Sequence, residues 1–230
     1  MLRHSESSER RDLMTIELIR HGVTAWVAEK RYQGHTDIPL SPEGMAMLKS
    51  SDEVPGRIYV SPLTRARQSA DIIFPSQEKI IINDLSEMCF GVFEGRTADE
   101  MADDPEYRRW VDGWCLGRCP GGEDKAGFDD RVRPAFEGIV NKELSSGCRK
   151  ISFVVHGGVI MSLMEAFADE KKNFYEWYIQ PGCGYLLDTD KWLTDHVLRY
   201  CGSTEHTAVS ANKHPADTHI SNNNKNIMDR

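Results

Sequence analysis

Four short apolar runs, each closed by turn-forming or charged residues, lie at residues 15–20, 57–60, 79–82 and 151–155. Their length and their content of Ile and Val predict buried strands. Helical signals lie between them. Ser41-Pro42-Glu43-Gly44 and Ser61-Pro62-Leu63-Thr64 each read as a capped helix start with Pro in the first turn, the second helix running to about residue 73. Residues 124–146 read as one long amphipathic helix, because Phe128, Val132, Phe136 and Ile139 recur at helical spacing. Another helix follows His156-Gly157-Gly158 to about Ala168, and residues 183–188 and 192–200 read as a closing pair of strands. This alternation predicts an α/β fold: a three-layer α/β/α sandwich whose mainly parallel sheet carries helices on both faces.

The less regular stretches divide the rest. Residues 22–40 have little periodicity and read as a long functional loop. Residues 85–95 mix turns, carboxylates and aromatics, and residues 98–122, with two short helical patterns around Trp110 and Trp114, read as a cover inserted over the sheet edge. The polar residues 1–13 read as a disordered leader, 14–201 as the folded domain, and the Ser-, Asn- and His-rich residues 202–230 as a disordered tail.

Composition narrows the partners. With 28 Lys and Arg against 36 Asp and Glu, the net charge of -8 argues against nucleic acid and anionic membrane surfaces, so an anionic ligand needs a local cationic pocket. Six cysteines without a C-x-x-C pair read as reduced thiols, and the absence of a signal-like or membrane-spanning apolar run points to a cytoplasmic protein.

That pocket has candidates. Two strands end alike, in Arg20-His21-Gly22 and in Val155-His156-Gly157-Gly158, and parallel strands put both ends on one sheet edge. Arg65 follows a third strand end, in the first turn of a helix, where free N–H groups and the helix dipole suit an anion. Taken singly, each is most simply a paired or solvated cation; together, Arg20, His21, Arg65 and His156 suit one phosphate.

The motifs Arg20-His21-Gly22-x-Thr24, Ser61-Pro62-Leu63-x-Arg65-Ala66, Glu87-x-x-Phe90-Gly91-x-Phe93-Glu94-Gly95, Pro120-Gly121-Gly122-Glu123 and Val155-His156-Gly157-Gly158 resemble the histidine phosphatase superfamily, the phosphoglycerate mutase-like group, in its order and across residues 15–190. The resemblance implies that His21 is the nucleophile and forms a phosphohistidine. It implies that Arg20, Arg65 and His156 hold the phosphate oxygens, and that Glu87 is the general acid and then the base. Glu94 and Glu123 are rival carboxylates of lower rank, Glu94 expected to make a structural bond. Thr24, Gln33, Gly34 and Gly157 fall where the family binds substrate. The family's usual Asn after the Trp is here Val27, which removes one phosphate-binding amide. No metal or other cofactor is implied, because the cationic side chains neutralise the phosphate.

The short distance from Glu87 to Pro120 favours a hydrolase over a mutase, and the compact chain looks most like the α-ribazole-5′-phosphate phosphatases of cobalamin assembly and their broad-specificity relatives. The expected partner is a small phosphomonoester, with a homodimer as one option for assembly. The alternatives are a phosphoglycerate mutase, a weakly active relative that binds phospholigands, and a metal hydrolase built on His21, His35 and His156. Either Trp110 or Trp114 stacks on a flat group such as benzimidazole, or both pack in the core.

Overall fold

The computed structural model describes residues 13–208. Residues 1–12 of the expected leader and 209–230 of the expected tail lie outside the described residues. In chain order the elements are β1 (Thr15–Arg20), α1 (Ala25–Ala28), α2 (Pro42–Met47), β2 (Arg57–Val60), α3 (Thr64–Ile73), β3 (Lys79–Ile81), α4 (Pro105–Asp112), α5 (Lys125–Ser145), β4 (Lys150–Val155), α6 (Gly157–Phe167), β5 (Cys183–Asp188), α7 (Trp192–Asp195) and β6 (Arg199–Glu205), with 3-10 turns between several of them.

The sheet runs β3-β2-β4-β1-β5-β6. The first four strands are parallel, while β5 and β6 join antiparallel. The central strands are mostly apolar because both faces are covered, with Glu17 of β1 and Ser152 of β4 as buried polar exceptions that bond to each other. Ile16, Leu18, Tyr59, Phe153 and Val155 face a large core completed by α5 and α6. Ile19, Ile58, Val60 and Val154 face a smaller core with Ala66, Ala70 and Ile73 of α3. This alternation, at the strand period of two, makes the three layers expected from the sequence.

Local chemistry explains the helix limits. Ser41 caps α2 by accepting the Gly44 N–H at 2.9 Å, with Pro42 at the first position. Asp124 caps α5 through the Gly127 N–H at 2.8 Å, and the stripe Phe128, Val132, Phe136 and Ile139 is buried as its spacing required. No helix among the described residues is long and apolar enough to cross a membrane.

Three expectations are corrected. The helix after β2 begins at Thr64, not at Ser61-Pro62: Asp37, from the loop after β1, takes both the N–H and the hydroxyl of Thr64 at 2.7 Å. Residues 192–195 form a helical turn rather than the start of a strand. The folded part also continues past residue 201. β6 runs to Glu205, and His206 then buries its ring against Glu17 of β1, Nε2 to Oε1 2.8 Å. A polar composition concealed this, because an edge strand with one face in solvent needs few apolar residues.

Candidate active site

Strand register assembles the site. Arg20, the last residue of β1, lies beside Val155, the last of β4, and the His21 N–H donates to the Val155 carbonyl at 2.9 Å. The Ser61 N–H, just beyond β2, donates to the Val154 carbonyl. Three parallel strands thus deliver His21, Ser61 and His156 to one edge. The rings of His21 and His156 sit edge to face, centroids 5.1 Å apart.

A hydrogen bond fixes the proton position on His21, and a second orients His156. His21 Nδ1 is 2.7 Å from the Gly22 carbonyl, which can only accept, so Nδ1 carries the proton and Nε2 keeps its lone pair. His156 Nε2 is 2.6 Å from the Ser61 hydroxyl. That hydroxyl also accepts, at 3.4 Å, the N–H of Leu63. A Ser61 proton donated to His156 Nε2 leaves the imidazole proton on Nδ1, a buried atom with no acceptor inside the protein and the one that would face a bound anion. Burial, then the nearby charge of Arg65, holds both histidines well below the ordinary histidine pKa. Both are neutral at pH 7, as a nitrogen nucleophile must be.

The cations are positioned by backbone carbonyls. Arg65 is fully buried and donates to the carbonyls of Gly34 (2.8 Å) and Thr36 (3.1 Å); burial lowers its pKa to about 10, still charged at neutral pH. Arg20 donates to the Ile179 carbonyl at 2.7 Å and lies over the Tyr178 ring. Both keep a buried Nε–H with no acceptor inside the protein. Among the described residues six buried side-chain N or O atoms have no partner, and four belong to this site: Arg20 Nε, Gln33 Nε2, Arg65 Nε and His156 Nδ1. Buried donors left unmatched are costly in a native protein. Arg20, Arg65 and His156 lie beside His21, and Gln33 precedes Gly34, whose carbonyl accepts from Arg65, so these unmatched nitrogens suit an anion.

Glu87 is buried beside them. Oε2 accepts the Gly158 N–H of α6 at 2.9 Å, and Oε1 its own neighbour Met88's. A Cβ on Gly158 would stand 2.3 Å from Oε1, so this approach requires glycine. Burial raises the pKa of Glu87, against the pull of those two N–H groups and of Arg65 and Arg20. The rival carboxylates are occupied elsewhere. Glu94 accepts from the N–H groups of His35, Thr36 and Phe90 and from the Thr36 hydroxyl, the structural role expected of it. Glu123 pairs with Arg131.

The remaining expected residues stand one step back. Thr24 Oγ1 caps α1 by accepting the Val27 N–H at 3.1 Å and donates to Gln33 Oε1 at 2.7 Å, so it orients the Gln33 amide rather than offering its own proton. Val27 contributes to this through its backbone. Gly34 is a joint: a Cβ there would meet the Met88 carbonyl at 2.3 Å. Gly157 opens α6 against the Arg20 guanidinium. His35 is half exposed and 3.9 Å from Glu123. Among the described residues no group of three or more His, Cys, Asp or Glu is arranged to hold a metal ion. Sequence reasoning passed over Ser61, whose Pro neighbour suggested a helix cap, and Tyr178 and Ile179, which reach Arg20 only through the fold.

The family model of the histidine phosphatase superfamily, branch 1, matches residues 16–195. The chain belongs to the histidine phosphatase superfamily. It is 36% identical over 154 residues to the "Probable phosphoglycerate mutase GpmB" of Escherichia coli O1:K1, covering 63% of this chain and 70% of that one. In fold it is similar to the alpha-ribazole phosphatase from Shigella flexneri (TM-score 0.71, 23% identity, 86% of this chain and 100% of that). It is also similar to a phosphoglycerate mutase from Thermus thermophilus (TM-score 0.60, 27% identity, 86% and 100%). Superfamily membership accounts for the shared order of the motifs, and both kinds of relative, phosphatase and mutase, are built on this sheet.

Proposed function

We propose that this protein is a phosphomonoesterase that passes the phosphoryl group through Nε2 of His21. The observation that carries the reading is two guanidinium groups and a second histidine, each with an unmatched buried nitrogen, gathered beside a neutral imidazole whose Nδ1 proton is already held. His21 Nε2 attacks phosphorus, the ester P–O bond breaks, and the leaving oxygen takes the proton of Glu87. Water then attacks the phosphohistidine, Glu87 receives its proton, and inorganic phosphate leaves. Arg20, Arg65, Gln33 and His156 stabilise the transferring group, which is most of what phosphoryl transfer asks of a protein. Two guanidinium groups supply the charge, so the reaction proceeds without a metal.

Within this class the substrate is a small phosphomonoester with a flat heteroaromatic part, of the α-ribazole 5′-phosphate kind. The short connection from Glu87 to Pro120 supports a hydrolase. Trp114 of the insertion, 48% exposed, is available to stack on such a group, whereas Trp110 is buried among Tyr32, Phe90, Phe93 and Tyr107. A second reading, phosphoglycerate mutase, is favoured by the identity to the E. coli relative; there the phosphohistidine returns its phosphoryl group to a sugar acid.

Hydrolysis of p-nitrophenyl phosphate, with and without a chelator, tests the first reading. Chelator-resistant turnover that disappears in His21→Ala is expected; chelator sensitivity, or equal turnover in the variant, contradicts it. Interconversion of phosphoglycerates faster than phosphate release selects the mutase. Trp114→Ala is expected to weaken α-ribazole phosphate turnover more than p-nitrophenyl phosphate turnover, and equal effects remove Trp114 from recognition.

A further inference from the structure

The proposed reaction needs Glu87 at one fixed place, yet Glu87 lies on irregular chain between β3 and the turn at residues 91–93. Its side chain is held from one side by the Gly158 N–H. Its backbone is held by something else. Arg131, in the second turn of α5 and one fifth exposed, spends its guanidinium on this segment. Nη1 donates to the carbonyls of Asp84 and Ser86, both at 2.8 Å, and Nη2 to the carbonyl of Glu87 itself at 2.8 Å. The other two N–H groups go to Glu123, Nε to Oε1 at 2.7 Å and Nη2 to Oε2 at 2.9 Å.

Glu123 closes the frame on the far side. Its Oε2 accepts the Cys89 N–H at 2.8 Å, and its own N–H donates to the Cys89 carbonyl at 2.9 Å. Glu87 is therefore bracketed, with Asp84, Ser86 and Glu87 tied to Arg131, and Cys89 tied to the carboxylate that Arg131 grips. All five donors of the guanidinium are used, and His35 Nε2 stands at the margin, 3.5 Å from Nη2. The planar fork matters here, because a lysine ammonium has three donors from a single point and cannot span three carbonyls and both oxygens of a carboxylate.

We propose that Arg131, with Glu123 as its partner, is the positioning residue of the general acid: the pair holds the backbone of Glu87 so that its carboxyl meets the leaving oxygen. This rests on Glu87 being the acid of the proposed reaction. Loss of the clamp then harms proton delivery more than phosphate binding or nucleophilic attack.

The test compares kcat/KM for two substrates in wild type, Arg131→Lys and Glu87→Gln. An alkyl phosphate needs its leaving oxygen protonated, whereas dinitrophenyl phosphate expels a stable phenolate unaided. kcat/KM reports only the steps up to loss of the leaving group, so later hydrolysis of the phosphohistidine does not enter. General acids contribute about 100-fold or more, so Arg131→Lys is expected to lose at least about tenfold more on the alkyl phosphate than on the dinitrophenyl ester, in the same sense as Glu87→Gln. Equal losses on both substrates in Arg131→Lys, with the unequal pattern present in Glu87→Gln, overturn the clamp and leave the acid standing. Equal losses in Glu87→Gln overturn the acid itself. If Arg131→Lys does not fold, Glu123→Gln, which keeps the shape but weakens the grip, is read by the same ratio.

Discussion

The tautomer of His21 follows from a neighbour that can only accept, the Gly22 carbonyl. That of His156 is assigned by Ser61 donating to Nε2, which turns the Nδ1 proton to the candidate site. Ser61→Ala removes the group that keeps the His156 proton facing the phosphate site. A hydrogen bond to a charged group is worth about 1.5–3 kcal/mol, so kcat/KM is expected to fall roughly 10- to 100-fold, with Ser61→Thr retaining most of the activity. An unchanged kcat/KM in Ser61→Ala contradicts the tautomer assignment. The pH dependence has a defined sign. His21 must be neutral, and burial and the cations depress its pKa, so the acidic limb of kcat/KM lies well below 6.5. Glu87 must be protonated, and burial raises its pKa above the usual 4.5, so the alkaline limb is displaced upward from there. A bell-shaped profile is expected, with the alkaline limb absent in Glu87→Gln; an alkaline limb that persists in that variant assigns it to another group.

At the scale of elements, the strand ends and the segments packed on them decide the geometry. Much of this was legible in the sequence, because the same residues that end a buried strand also carry the chemistry. Arg20-His21 and His156 needed only parallel pairing to meet. What was not legible depended on contacts distant in the chain. The Asp37 bond that starts α3 at Thr64 joins residues in separate loops. β6 and His206 were hidden in polar sequence, although His206 pairs with Glu17 across the buried face of β1 and its backbone N–H donates to the Gly182 carbonyl. Gly182 in turn donates to the carbonyls of Arg20 and His21, so the last described segment supports the strand end that carries His21. His206→Ala leaves a buried Glu17 oxygen without its hydrogen-bond partner, which costs about 1–3 kcal/mol. Urea denaturation is expected to show a loss of that order, and a change below about 1 kcal/mol, the scale of a surface pair, contradicts the buried role.

For the whole molecule, electrostatics and fold act together. The net charge of -8 disfavours general binding of anions, while Arg20 and Arg65 create one cationic pocket within it. The parallel part of the sheet gathers His21, His156 and the cations on one edge, and Trp110 and Tyr107 of residues 98–122 pack into the large core. The family motifs made this site readable before the structure. The clamp of Arg131 and Glu123 was not, since it consists of bonds to carbonyls, which any residue offers. The central claim is covalent, and it can be observed directly. Mixing the protein with a labelled phosphomonoester, quenching in alkali within the first turnover, and mapping the label by mass spectrometry is expected to find one phosphoryl group on His21, absent in His21→Ala. Turnover without any phosphohistidine on the quenched protein, or label on another residue, contradicts the mechanism.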